Sequence, residues 1–286
     1  MYRGAQAMDF SSQRSARRTS LVACVLSMVF LALGCPSART HRQAKTLLAV
    51  FAHPDDEAFV GPLLSHYARQ GVRVRLAIVT DGAKVGSPRL GIPAGPEMAR
   101  VRAQEARCSC RALGVEAPIL LGFEDGGLGK SSDPPGGYLA QVVRRIRALL
   151  AQVRPDAVIT WGPDGGYGHP DHRLVGAVVT QAVQAGVDGA PSRLFYPGLP
   201  ADPARPRLED PRWAVTDPRF LTVRVPYDAA DLASTRRAFA CHQSQFAPEQ
   251  MEGLLSRLDA RLRGRIYLRP WFGARTGDEV FSLEMP

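Results

Sequence analysis

The sequence predicts an α/β fold: a single domain built on a Rossmann-like, mostly parallel sheet with helices on both faces. Three observations carry this expectation. From Lys45 onward, short apolar runs alternate with stretches of helical periodicity. Two of those runs end in the same kind of turn, where a His-Pro-acid cluster leads into a helix. The composition, 45% hydrophobic and 22% charged over 286 residues, is that of a globular chain long enough for one large α/β domain.

The chain divides into residues 1–34, a linker over 35–45, and the domain over 46–286. The leader is basic, with Arg14, Arg17 and Arg18 ahead of an apolar run from Leu21 to Gly34. That run is short for a membrane span and suits the core of a signal peptide. Leu31-Ala32-Leu33-Gly34-Cys35 resembles a bacterial lipoprotein cleavage site, with Ala32 where Leu is usual. The expectation is export, with a lipid anchor at Cys35 in the bacterial cell envelope. Simple cleavage to a periplasmic or secreted protein is the alternative.

The domain opens with a strand over Leu47–Phe51, a helix over Phe59–Gln70 and a strand over Val72–Thr80. A Gly/Pro-rich loop over Gly86–Gly95 precedes a helix over Glu97–Leu113, which Gly114 caps. Pro118–Gly122 reads as a strand, Ser131–Gly137 as a loop, and Tyr138–Val153 as an amphipathic helix with Arg outside. Asp156–Trp161 is the next strand and Asp171–Ala185 its helix, followed by a strand over Arg193–Tyr196. Pro197–Pro218 is an excursion rich in Pro and charge. Leu221–Val225, helices over Ala229–Cys241 and Pro248–Leu262, and Ile266–Leu268 complete the domain. No Gly-x-Gly-x-x-Gly follows the first strand, so the sheet does not imply a dinucleotide.

Chemistry concentrates in the two turns. Ala52-His53-Pro54-Asp55-Asp56-Glu57 places one imidazole and three carboxylates between strand and helix. Gly165-Gly166-Tyr167-Gly168-His169-Pro170-Asp171-His172 repeats the grammar after Trp161. Parallel strands would deliver both turns to one sheet edge, where open α/β sheets place ligands. A divalent cation would neutralise so many ionisable groups, and His with Asp suits zinc.

This pair of motifs resembles the PIG-L family of metal-dependent N-deacetylases, also called LmbE-like. The resemblance runs from about Lys45 to near the C-terminus. It implies a zinc-dependent hydrolase that removes acetyl from an N-acetylated amino sugar, a GlcNAc-type amide, with Fe²⁺ or another divalent ion as the alternative cofactor. It implies His53, Asp56 and His172 as metal ligands and Asp55 as the base for the attacking water. It implies His169 as a charged imidazole kept protonated and oriented by Asp171, and Tyr167 as an oxyanion donor on a loop that Gly166 and Gly168 let move. Arg102, in Arg-x-x-Glu with Glu105, would reach sugar hydroxyls; an i,i+3 ion pair is the equal alternative. Asp125 stands at a substrate-contact position of the family, within Phe123-Glu124-Asp125-Gly126 where Pro-Asp-Gly is usual.

The remaining features are plainer. His242 reads as a structural histidine, Glu57 as a carboxylate suited to a helix start, His41 and His66 as exposed, and Trp161 as core. Cys108, Cys110 and Cys241 read first as small buried hydrophobes, with a bridge from one of the helical pair to Cys241 as the alternative under oxidising export. Of the formal +9, Arg3, Arg14, Arg17 and Arg18 against Asp9 place +3 in residues 1–34, and the remaining +6 is scattered. Scattered Arg argues against nucleic acid as a partner. Two rival functions stand beside the deacetylase: another metal-dependent ester or amide hydrolase, and a non-catalytic sugar-binding module on the same fold.

Overall fold

Burial fixes the first strand. Leu47 through Phe51 have no accessible surface, and in the computed structural model they form β1 (Thr46–Phe51). The structure describes residues 44–129, 137–201, 213–272, 277 and 280. The expected leader, Cys35 with its anchor, most of the 35–45 linker and His41 lie outside the described residues, as does most of the Ser131–Gly137 loop. A 3₁₀ turn over Asp56–Val60 follows β1, so Pro54 sits in the turn before it rather than in a first helical turn. The chain continues through α1 (Gly61–Arg69), β2 (Arg73–Thr80), α2 (Pro96–Leu113), β3 (Ile119–Phe123) and α3 (Tyr138–Val153). Then come β4 (Ala157–Thr160), the short α4 (Gly165–Gly168), α5 (Pro170–Gln184), β5 (Leu194–Pro197), β6 (Leu199–Pro200) and β7 (Val215–Thr216). The last elements are β8 (Val223–Pro226), α6 (Ala229–Phe239), α7 (Pro248–Leu262) and β9 (Arg265–Pro270).

The main sheet has the order β3-β2-β1-β4-β5-β9-β8. The first five strands are mutually parallel, as their helical crossovers require. β9 runs antiparallel to both β5 and β8, a reversal the strand-like patterns did not disclose. Inside the Pro197–Pro218 excursion, β6 and β7 form a separate two-stranded parallel ladder.

Side-chain alternation along β1 divides the core. Leu47, Ala49 and Phe51 pack with Leu63, Leu64 and Tyr67 of α1 and with Ala106, Cys110 and Leu113 of α2. Leu48, Val50 and Ala52 pack with Val142, Ile146 and Leu150 of α3 and with Val175 and Val179 of α5. A sheet covered on both faces explains why β1 and β4 are buried at every position and apolar at all but Thr46 and Thr160. The helices obey the same rule. In α3 the buried positions Val142, Ile146, Leu149, Leu150 and Val153 form one stripe, while Arg144, Arg145 and Arg147 are exposed. Gly114 ends α2 in the left-handed conformation, φ 75°. No helix among the described residues is long and apolar enough to cross a membrane.

This topology positions the functional turns. β1 lies between β2 and β4, with Leu47 opposite Ala157 and Val50 opposite Thr160. The chain leaves β1 for α1 and β2 on one side, and leaves β4 for α5 and β5 on the other. The crevice where the order reverses opens at the carboxyl ends of β1 and β4. Phe51 and Thr160 therefore deliver both His-Pro-acid turns to one edge. Helix α5 docks there tightly: a Cβ at buried Gly176 would overlap the carbonyl oxygen of Trp161. Replacing Gly176 by Ala should cost about 1–3 kcal/mol through that overlap, read as a lower urea midpoint at an unchanged denaturant slope. An unchanged midpoint would mean that α5 does not seat against β4 as described.

Candidate metal centre and active site

The two turns meet. His53 Nδ1 lies 3.0 Å from His172 Nε2, and His172 Nε2 lies 3.1 Å from Asp56 Oδ1. His53 Nδ1 is 3.8 Å from Asp56 Oδ2. Ligands about 2.0–2.1 Å from a tetrahedral zinc sit roughly 3.3 Å apart, so this spacing fits one shared ion.

The hydrogen bonds decide which atoms face the shared point. His172 Nδ1 is 3.0 Å from the carbonyl of Gly165, which only accepts, so Nδ1 carries the proton and Nε2 presents a lone pair. His53 Nε2 faces two carboxylates, Asp125 Oδ1 at 3.1 Å and Asp171 Oδ2 at 3.3 Å. It donates to them and leaves Nδ1 for a cation. Asp56 Oδ2 accepts from the amides of Ala52 (3.0 Å) and His53 (2.9 Å) and from Trp161 Nε1 (3.0 Å). Its Oδ1 is thereby turned to His172. Each of these three side chains is thus held from behind by a hydrogen bond, an arrangement usual for metal-binding side chains.

Three electron-rich atoms facing one another repel unless a cation intervenes. A proton on His53 also answers that repulsion. Burial disfavours a charged His53, but its hydrogen bonds to Asp125 and Asp171 and the charge of Asp56 outweigh it, pushing its pKa up to about 10. Burial likewise opposes ionisation of Asp56, yet His172, His53 and the Trp161 N–H hold its carboxyl well below the usual range.

Asp55 stands beside this cluster with φ 114°, one of three non-glycine residues of positive φ among those described. Such a conformation costs on the order of 1–3 kcal/mol and persists where neighbours enforce it. Arg102 enforces it from one side. Its Nη2 donates to Asp55 Oδ2 at 2.7 Å and to the Pro54 carbonyl, and its Nη1 donates to the Gly82 carbonyl at 3.0 Å. Gly82, at φ 66°, has no room for a Cβ against that guanidinium. Burial and the charge of Asp56 raise the Asp55 carboxyl and Arg102 lowers it, leaving it at about 6.

Several expected roles are corrected by these contacts. Arg102 is 4% exposed and occupied by Asp55 and two carbonyls, so it is not free to reach a sugar. Nor does it pair with Glu105, whose carboxylate takes the amide and hydroxyl of Ser244 at 2.7 and 2.6 Å. Asp125 faces His53 rather than an open substrate position. Asp171 does the same and also accepts from the Gly126 amide at 2.7 Å, so its carboxylate does not orient His169. His169 caps α5 instead: its Nδ1 accepts from the Asp171 backbone N–H at 3.2 Å. An accepting Nδ1 makes that ring neutral with its proton on Nε2. Burial and the neighbouring His53 and His172 lower its pKa to the same effect. The expectation of a charged imidazole there is overturned. A nitrogen of His169 lies within 4.8 Å of those of His53 and His172.

Tyr167 stands at the mouth, 39% exposed, with its ring edge-on to His172 at 5.1 Å. Burial and the nearby carboxylates push its hydroxyl pKa up, so it remains a proton donor. Its flanking glycines are needed for geometry rather than for freedom. Gly166 and Gly168 have φ 71° and 86°, and a Cβ on Gly166 would strike the ring of Trp161.

Sequence reasoning underrated Trp161, Glu57 and the cysteines. Trp161 stacks on His172 at 4.6 Å with an interplanar angle of 2°, besides donating to Asp56. Glu57 lies in the first turn of the 3₁₀ segment, a helix start as expected, and is buried there against His242, with Oε1 2.7 Å from Nε2. Cys108 and Cys241 form a disulfide, and Cys110 is a free buried thiol. His66 is partly buried beside Asp231 at 3.4 Å.

A family model described as PIG-L, GlcNAc-PI de-N-acetylase, matches residues 48–183. A 1D-myo-inositol 2-acetamido-2-deoxy-alpha-D-glucopyranoside deacetylase of Mycobacterium sp. (strain KMS) is 35% identical over 183 residues, which is 58% of this chain and 58% of that relative's length. A relative of the same description, numbered 2, from Catenulispora acidiphila is 30% identical over 246 residues, 71% of this chain and 80% of the relative. Among solved structures, an N,N'-diacetylchitobiose deacetylase from Pyrococcus horikoshii shares the fold, with TM-score 0.59 and 23% identity over 80% of this chain and 84% of that one.

The Trp161 contacts can be tested apart from catalysis. Replacing Trp161 by Phe keeps a ring over His172 and removes the N–H on Asp56. Zinc affinity, read by competition with a chromogenic chelator, should fall about 10–100-fold. It should also weaken about tenfold per pH unit on acidification for each proton the ion displaces, with His53 the first such group.

Proposed function

Because the chain belongs to the PIG-L family, we propose that it is a divalent-metal N-deacetylase that removes acetyl from an N-acetylated amino-sugar conjugate. The observation that carries this reading is the convergence of His53 Nδ1, His172 Nε2 and Asp56 Oδ1 at one sheet edge. Zn²⁺ is the ion assigned to these three ligands, since two imidazoles and a carboxylate are a zinc donor set that leaves a position open. When bound, it would polarise the amide carbonyl and lower the pKa of a water toward neutrality.

The chain's own groups supply the proton transfers. Asp55, with its pKa at about 6, is ionised at neutral pH and accepts the proton of the attacking water. Arg102 fixes the direction of that carboxylate through Oδ2. His169, neutral with its proton on Nε2, offers that N–H as a hydrogen bond to the developing oxyanion, and the proton that Asp55 has taken from the water passes to the departing amine. The Tyr167 hydroxyl provides a second donor at the mouth. Asp125 and Asp171 act through His53 as positioning residues.

Two features support a site of action outside the cytoplasm. The basic leader, its apolar run and Cys35 support export with a lipid anchor in the cell envelope. The Cys108–Cys241 disulfide supports an oxidising compartment.

Acetate release from a panel of N-acetylated amino sugars, with acetylated esters as the contrast, tests the proposal on the full chain. Turnover of an amino-sugar amide should appear with Zn²⁺, vanish on chelation and return on readdition. Asp55→Ala should cut kcat by about 10²–10⁴ with zinc content intact. Preference for the esters, or near-normal turnover in Asp55→Ala, would overturn the assignment.

A further inference from the structure

Glu57 follows ligand Asp56 directly, and the roles above leave it without a part in the chemistry. It is 1% exposed, and both of its oxygens are engaged. Oε2 accepts the backbone N–H of Asp55 at 3.0 Å. Oε1 takes the Ser109 hydroxyl and His242 Nε2, the latter at 2.7 Å. Those two partners come from distant parts of the chain, Ser109 from α2 and His242 from just beyond α6. Each immediately follows a half-cystine: Cys108 precedes Ser109 and Cys241 precedes His242. The disulfide, with its Cα atoms 5.8 Å apart, therefore holds the two donors side by side on one carboxylate oxygen. His242 Nδ1 is buried without a hydrogen-bond partner among the described residues. The imidazole is oriented only from its Glu57 side and through its attachment to Cys241.

The other oxygen of Glu57 reaches the residue that most needs holding. Asp55 keeps φ 114°, held by Arg102 on the carboxylate, by Glu57 on the backbone amide and by the Ala58 N–H on the backbone carbonyl at 3.0 Å. The guanidinium sets where the carboxylate points, and the Glu57 bond sets the twist of the peptide that carries it. We infer that Glu57 is a positioning residue for Asp55, and that the Cys108–Cys241 disulfide, through Ser109 and His242, is the brace that makes it one. This rests on Asp55 acting as the base. It differs from a merely stabilising cross-link, which would lower the melting temperature and leave the folded enzyme's turnover untouched.

The test uses the zinc-loaded full chain and the panel substrate giving the fastest acetate release. In C108S/C241S, kcat should fall about tenfold or more, since small misplacements of a reacting group carry losses of that order. KM and zinc content should stay at the wild-type value. Glu57→Ala should lose as much or more, and Glu57→Gln should recover part, because its amide oxygen still accepts from the Asp55 N–H. Should the serine double variant fail to fold, the Ala and Gln pair at position 57 decides by the same readouts. Wild-type kcat in the folded serine variant or in Glu57→Ala overturns the inference, as does a loss matched by loss of zinc. Asp55→Ala with the disulfide intact is the separate control. If it turns over normally, the base assignment has failed. If it is inactive while the position 57 and disulfide variants are normal, the brace alone has failed.

Discussion

Mutual repulsion is the constraint around which this edge of the molecule is arranged. Two imidazole nitrogens and a carboxylate oxygen crowd together in a buried pocket, with His172 Nε2 3.0 Å from His53 Nδ1 and 3.1 Å from Asp56 Oδ1. Without a cation such an arrangement costs more the drier it becomes. Nothing in the three side chains themselves compels the meeting. It is imposed by what stands behind them: the Gly165 carbonyl on His172, Asp125 and Asp171 on His53, and three N–H donors on one oxygen of Asp56. Those supports are anchored in turn by the parallel register of β1 with β4. The sheet is the rigid body, and the polar turns are held taut at its rim.

On the proposed reading, the site divides acid-base groups into one that ligates and one that reacts. Asp55 and Asp56 are adjacent in sequence, yet their environments push them in opposite directions, Asp56 far down and Asp55 up to about 6. The difference comes from partners: two imidazoles and an indole N–H for one, desolvation and a neighbouring negative charge for the other. The left-handed backbone at Asp55 turns these neighbours apart. Environment rather than residue type thus separates a ligand from a base.

What the sequence disclosed and what it hid follow one physical rule. His53, Asp56 and His172 were legible because each sits in a strand-to-helix turn, and parallel strands bring such turns to a common edge. The two-faced core was legible from the unbroken apolar run at Leu47–Phe51. Side-chain direction beyond the turn was not legible. Asp171 faces His53, 118 residues away, instead of its neighbour His169. Arg102 turns inward to the Pro54 and Gly82 carbonyls. Trp161 read as core because its N–H finds Asp56 only after β1 and β4 pair. The antiparallel β9 was hidden because a six-residue strand carries the same alternation in either direction.

The cross-link between helix α2 and the segment after α6 carries a consequence for how the chain matures. Cys108 and Cys110 are two positions apart, and both are 131 or more residues from Cys241, 133 in the bonded pair. Loop-closure entropy scarcely distinguishes the two pairings in an unfolded chain. Selection must come from helix α2 turning Cys110 into the sheet-facing core, where burial pushes its thiol up and quenches the thiolate. The hydrophobic interior thus acts as a protecting group on one sulfur of the folded chain.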